Sequence, residues 1–118
     1  MTGKTGTNEF IFSAPGSNVI TDFTASPTNE IVFSNSGFNL GLTGASSTPT
    51  QFTTAEATAL FSGSGTFTTT AQRFAYNSSN GRLLYGSDGS GGTSQLVATL
   101  GTTTHPSSIA VSQLFFIS

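Results

Sequence analysis

The chain has 118 residues, of which 35% are hydrophobic and only 7% charged, and its bulk is small and uncharged, with 21 Thr, 18 Ser and 14 Gly. That is one domain's length of chain with enough apolar surface for a core. Three Lys and Arg against five Asp and Glu, for a net charge of −2, exclude a phosphate-binding track for nucleic acid, and one His with no Cys excludes thiol nucleophiles, iron–sulfur clusters and tetrahedral zinc sites.

Period-2 alternation begins at Glu9-Phe10-Ile11-Phe12 and predicts a first strand over 8–12. Ala14-Pro15-Gly16-Ser17-Asn18 turns, and Val19 to Phe23 predicts a second strand over 19–23. Ala25 to Asn29 turns again, and Glu30 to Ser34 predicts a third strand over 30–34. Short strands at about ten-residue spacing, with turn residues between them, predict a stacked or meandering all-β unit. Residues 35–51 are rich in Gly, Ser and Thr, with Phe38, Leu40 and Leu42 alternating toward a buried surface. Thr53-Thr54-Ala55-Glu56 fits a capping box and predicts one short helix from Thr53 to Phe61, ended by Gly63 and Gly65.

The strongest local signal is a hairpin over 72–85. Gln72 to Tyr76 alternates, Asn77 to Gly81 turns, and Arg82 to Tyr85 returns, with Asn80-Gly81 supplying the positive φ that such a loop needs. Residues 86–92 form a looser turn around Asp88, Gln95 to Leu100 form a strand, and Leu114-Phe115-Phe116-Ile117 form a last one. The expected fold is all-β and β-sandwich-like. It has a β-roll-like stack over 1–34 and an antiparallel capping layer over 72–118, with at most one short helix.

The chemistry is sparse. Asp88 sits in Ser87-Asp88-Gly89-Ser90-Gly91, which reads as an Asx turn or as half of a calcium loop. Gly3 to Phe10 has the outline of the calcium-binding nonapeptide, with Asn8 at its aspartate position. His105, before Pro106 in a polar turn, has no nucleophile elbow beside it and reads as an exposed loop histidine. No spacing among Glu9, Asp22, Glu30, Glu56 and Asp88 singles out a catalytic carboxylate pair. No apolar run approaches the ~18 residues of a membrane span, and Met1 to Asn8 has no apolar stretch for an N-terminal signal peptide. The expectation is a non-catalytic C-terminal domain of something longer.

Six motifs stand in one order. They are Gly3 to Phe12, Ile20-Thr21-Asp22-Phe23, Asn29 to Ser34, Arg73-Phe74-Ala75-Tyr76-Asn77 through Gly81, Tyr85 to Gly91 with Ala98-Thr99-Leu100, and Ser112-Gln113-Leu114-Phe115. In this order the chain resembles the C-terminal region of bacterial RTX (hemolysin-type calcium-binding repeat) proteins, the type I secretion target domain that follows the β-roll. The resemblance implies a secreted, extracellular protein with an uncleaved C-terminal export segment at Leu114, Phe115, Phe116 and Ile117. Its implied partners are the type I secretion machinery and upstream domains, with no nucleic acid and no membrane insertion. Where the family pattern carries Asp, this chain has Asn8, Asn18, Asn29, Val32, Gly86 and Gln113. Calcium affinity depends on ligand charge. The expectation is therefore calcium bound weakly or not at all, with Asp22 and Asp88 as its side-chain ligands. The alternative is a surface binding or self-assembly module for a glycan or protein ligand, with Tyr76 and Tyr85 on its face.

Overall fold

Alternating apolar residues produce strands here, and short polar turns interrupt them. A computed structural model describes residues 8–21, 23, 29–44, 46–87, 94–102 and 104–118. In chain order the elements are β1 (Asn8–Phe12), β2 (Asn18–Ile20), β3 (Asn29–Ser34), β4 (Thr50–Gln51), α1 (Thr54–Leu60), β5 (Phe61–Ser62), β6 (Phe74–Asn77), β7 (Arg82–Tyr85), β8 (Gln95–Leu100) and β9 (Leu114–Ile117). The fold is all-β with one short helix.

The strands form two sheets, one in the order β1-β3-β9-β4 and the other in the order β2-β8-β7-β6-β5. In the first sheet β1 pairs with β3 in parallel, β3 pairs with β9 in parallel, and only the two-residue β4 runs antiparallel. In the second sheet the β6–β7–β8 meander is antiparallel, with β2 and β5 added in parallel at its two edges. The chain thus passes from β1 in one sheet to β2 in the other and back to β3 beside β1. That is one turn of a coil, and its two strands lie at the edges of the two sheets.

Phe10, Phe12, Ile31, Phe33, Leu114 and Phe116 face inward from the first sheet and meet Phe74, Tyr76, Leu83, Val97 and Leu100 from the second. Rings lock the two layers together. Phe33 lies 4.3 Å from Phe74 and 5.8 Å from Phe61 between centroids, and Phe52, which follows β4, meets Phe61 edge-on at 5.4 Å. Such offset and edge contacts add stability beyond the buried area. Phe38, fully buried, packs edge-on against Phe33 and Tyr85, as its alternation with Leu40 and Leu42 predicts.

Two element ends and the placement of one strand differ from the sequence expectation. The second strand ends at Ile20 rather than Phe23. The helix ends at Leu60, before any glycine, because Phe61 turns extended and pairs with Phe74 in β5. Its start is as predicted: Glu56 N–H donates to Thr53 Oγ1 at 3.1 Å, and Thr53 N–H donates to Glu56 Oε1 at 2.9 Å. The largest correction concerns β9. It stands between β3 and β4 in the parallel sheet, not in the antiparallel layer, so it is neither an edge strand nor part of the hairpin sheet. The reason lies in Gln113, at the end of a 3-10 turn over Val111–Gln113. Its fully buried amide donates from Nε2 to the Asn29 carbonyl at 3.1 Å and accepts from Ala110 N–H at 3.1 Å, which aligns β9 along β3.

Candidate functional site

The segment 114–117, expected to carry export, is an interior strand of the first sheet. Leu114 and Phe116 are buried in the core, while Phe115 and Ile117 are half-buried on the outer face. Both edges of the strand are bonded: Ile31 to Ser34 on one side, Thr50 and Gln51 on the other. The last residue is held too. Ser118 N–H donates to the Ser46 carbonyl at 2.8 Å, and Ser34 Oγ donates to the main-chain oxygen of Ser118 at 3.1 Å. In the folded domain these four residues are structural.

The first sheet also shows a self-match that strand-by-strand reading misses. Asn8-Glu9-Phe10-Ile11-Phe12-Ser13 and Asn29-Glu30-Ile31-Val32-Phe33-Ser34 align at an offset of 21 residues, and Gly16 with Asn18 aligns with Gly37 and Asn39. The β1–β3 ladder has this same register, Asn8 opposite Asn29 through Phe12 opposite Phe33. Asn8 Nδ2 donates to Asn29 Oδ1 at 3.4 Å, an amide-to-amide contact between the two strands. Glu9 and Glu30 are also direct neighbours in the ladder. The Glu30 carboxyl is pushed above its ordinary value, first by burial and then by the Glu9 charge. Comparing the chain with itself would have found this register; the expectation of strands every ten residues counted the two strands of each coil turn instead.

Asp22 and Asp88, the expected calcium ligands, lie outside the described residues. Among the described residues no cluster of three or more His, Asp or Glu side chains could hold a metal ion, and no helix is long and apolar enough to cross a membrane. His105 is not the exposed loop histidine expected. It is half-buried, its Nδ1 lies 2.7 Å from the Leu100 carbonyl, and its ring covers Gly81. It thereby ties the segment after β8 to the hairpin turn.

Tyr76 and Tyr85, placed by the sequence on a ligand-binding face, are buried instead. Tyr76 donates its hydroxyl to the Pro106 carbonyl at 2.6 Å, and Tyr85 donates its own to the Phe38 carbonyl. Burial pushes the Tyr76 phenol up to about 12. The Tyr85 phenol is also raised by burial, against a lowering by Arg73. Tyr76 forms part of a cavity of about 250 Å³ between α1 and residues 108–111, lined by Ala57, Phe61, Ile109, Val111 and Leu114 among others. Thr58, Ser62 and Ser108 stand among its apolar walls, and the Tyr76 hydroxyl is committed to the Pro106 carbonyl. No family model, curated protein or solved structure matches this chain.

Proposed function

We propose that the chain is a non-catalytic C-terminal capping and type I secretion-targeting domain of an RTX-like extracellular protein. The observation that supports the capping half is the place of β9. A coil stack needs its last strand covered, because an open parallel edge is a site for unwanted pairing. Here β9 lies along β3 where the strand of a next coil would lie, and β4 closes β9 from the other side with two antiparallel residues. The export half is supported by the ordered motifs of the sequence and by their ending at 114–117.

The export half is tested by fusing a passenger protein ahead of the chain and measuring its secretion through a type I exporter. The expected result is export of the fusion and loss of export when 114–118 are removed. Unchanged export after that deletion would contradict the assignment. The missing acids set a second expectation: the domain folds in excess chelator, and calcium binds weakly or at one site. Titrating calcium while following thermal unfolding checks this, and several ions bound per chain with submicromolar affinity would contradict it.

A further inference from the structure

The two copies of the 21-residue pattern occupy different environments, and the differences lie where a neighbour covers one copy and not the other. Ile11 and Val32 are partners in the ladder, both pointing away from the sandwich core. Val32, flanked by β1 and β9, is 0% exposed, whereas Ile11, on the edge strand, is 49% exposed. The other large exposed hydrophobic among the described residues is Val19, at 40%, on β2. Both therefore sit on the two edge strands of the same coil turn.

The glycines repeat this contrast. A Cβ on Gly37 would collide with the Ser13 carbonyl oxygen, because the turn after β1 packs directly on the turn after β3. Gly37 is glycine for space, not for backbone conformation, since it is not among the residues with positive φ. Gly16 is its equivalent in the first coil. It too lacks a positive φ, and the nearest atom to a Cβ placed there would be Asn18 Nδ2, at 3.4 Å. Neither steric crowding nor φ requires glycine at 16 in this structure. A further turn packed upon it as the Ser13 turn packs on Gly37 would.

Building on the capping half of the proposed function, we propose that the β1–β2 edge, open among the described residues, receives a preceding coil of the same polypeptide with this 21-residue pattern. Its Asn stands over Asn8, its second apolar residue covers Ile11, and its turn carbonyl fills the notch at Gly16. Hydrocarbon contact and a column of asparagine amides hold this stack, in place of calcium between aspartates. A second copy of the chain fits less well. Two copies related by a twofold axis would set β1 against β1 in antiparallel, which cannot reproduce the parallel Asn8–Asn29 register.

The test lengthens the full chain by one coil, duplicating residues 8–28 between Thr7 and Asn8. The expected result is one cooperative transition with a higher midpoint and a larger denaturant dependence, since more surface is buried. Hydrogen exchange of the original β1 amides should slow. Glycine variants supply the sharper readout. In the parent chain Gly16→Ala should leave the midpoint within about a degree while Gly37→Ala lowers it by several. In the lengthened chain Gly16→Ala should become as harmful as Gly37→Ala, and Ile11→Lys should change from mild to destabilising.

An added coil that is digested by protease, leaves the melt unchanged, or prevents folding would overturn the proposal. So would a Gly16→Ala that stays neutral in the lengthened chain. Concentration-dependent protection of β1 in the parent chain would identify a second copy as the occupant and contradict the preceding coil. The export assay reads 114–117 and the coil test reads 8–19, so either can fail while the other stands.

Discussion

The parallel stack of β1, β3 and β9 and the antiparallel meander of β6, β7 and β8 share one core but are specified differently. The meander is local. β6 and β7 are joined by a tight turn that pairs Asn77 with Arg82, and Gly81 supplies its positive φ of 72°. The stack is distant in sequence: β3 finds β1 across a whole coil turn and finds β9 across most of the chain. Closing long loops costs entropy before any contact is gained. The meander can therefore form early, and the stack must wait for its far partner.

The contrast breaks most severely at β9. Deleting 114–118 removes Leu114 and Phe116 from the core, each worth roughly 1.5–3 kcal/mol on full burial, against a net stability of about 5–15 kcal/mol for a domain. It also bares one edge of β3 and takes from β4 the strand it pairs with. The truncated chain should be largely unfolded by far-UV circular dichroism at 25 °C, and a melt matching the parent's would show that the tail lies outside the core. Next in size is Phe33→Ala. Phe33 joins the layers through Phe74, so the loss should approach the about 3–5 kcal/mol typical of buried Phe. Denaturant titration should show both regions weakening together. Loss of the stack alone would mean that the two regions unfold separately.

Gln113→Ala sharpens the comparison, because it attacks the register of β9 without removing its apolar side chains. The buried Asn29 carbonyl loses a partner, which costs about 1–3 kcal/mol, while the exposed Ala110 N–H can turn to water. Chemical denaturation should show a loss in that range, and an unchanged midpoint would mean that another group aligns β9.

The smallest effect belongs to the Glu9–Glu30 pair, found only in the stack. Like charges opposite one another in a ladder cost on the order of 0.2–1 kcal/mol. Because the Glu30 carboxyl is raised in the folded state, the folded chain holds its proton to higher pH than the unfolded chain does. Stability is therefore full below the unfolded value near 4.5 and is lost as pH rises through the raised folded value. Glu30→Gln should stabilise the domain slightly at pH 7 and flatten that dependence. Melting both forms from about pH 4 upward checks it, and parallel curves would remove Glu30 as the source.

Elements with local chemistry were legible in the sequence. The hairpin follows from Asn80-Gly81 between alternating strands, the helix start from the Thr53–Glu56 capping box, and the all-β class from Phe and Thr at period 2. The partner of Leu114-Phe115-Phe116-Ile117 was not legible, since a continuous apolar run carries no sign of which strand lies beside it or in which direction. Thr50–Gln51 and Phe61–Ser62 are too short to show any period, and their strand character comes from what they lie against. The burial of Tyr76 and Tyr85 could not be foreseen, because the carbonyls that take their hydroxyls come from Pro106 and Phe38, on distant segments. The strand at 114–117 was legible and its neighbours were not, while the β1–β3 register was present in the sequence as a 21-residue self-match.

Native-state hydrogen exchange at 114–117 tests the closure of the stack by β9 most directly. With both edges bonded and two side chains in the core, the amides of β9 that pair with β3 or β4 should exchange only on global unfolding, as slowly as those of β3. Exchange at the fast rate of a fraying terminus, while β3 stays protected, would contradict a stack closed by its own last strand.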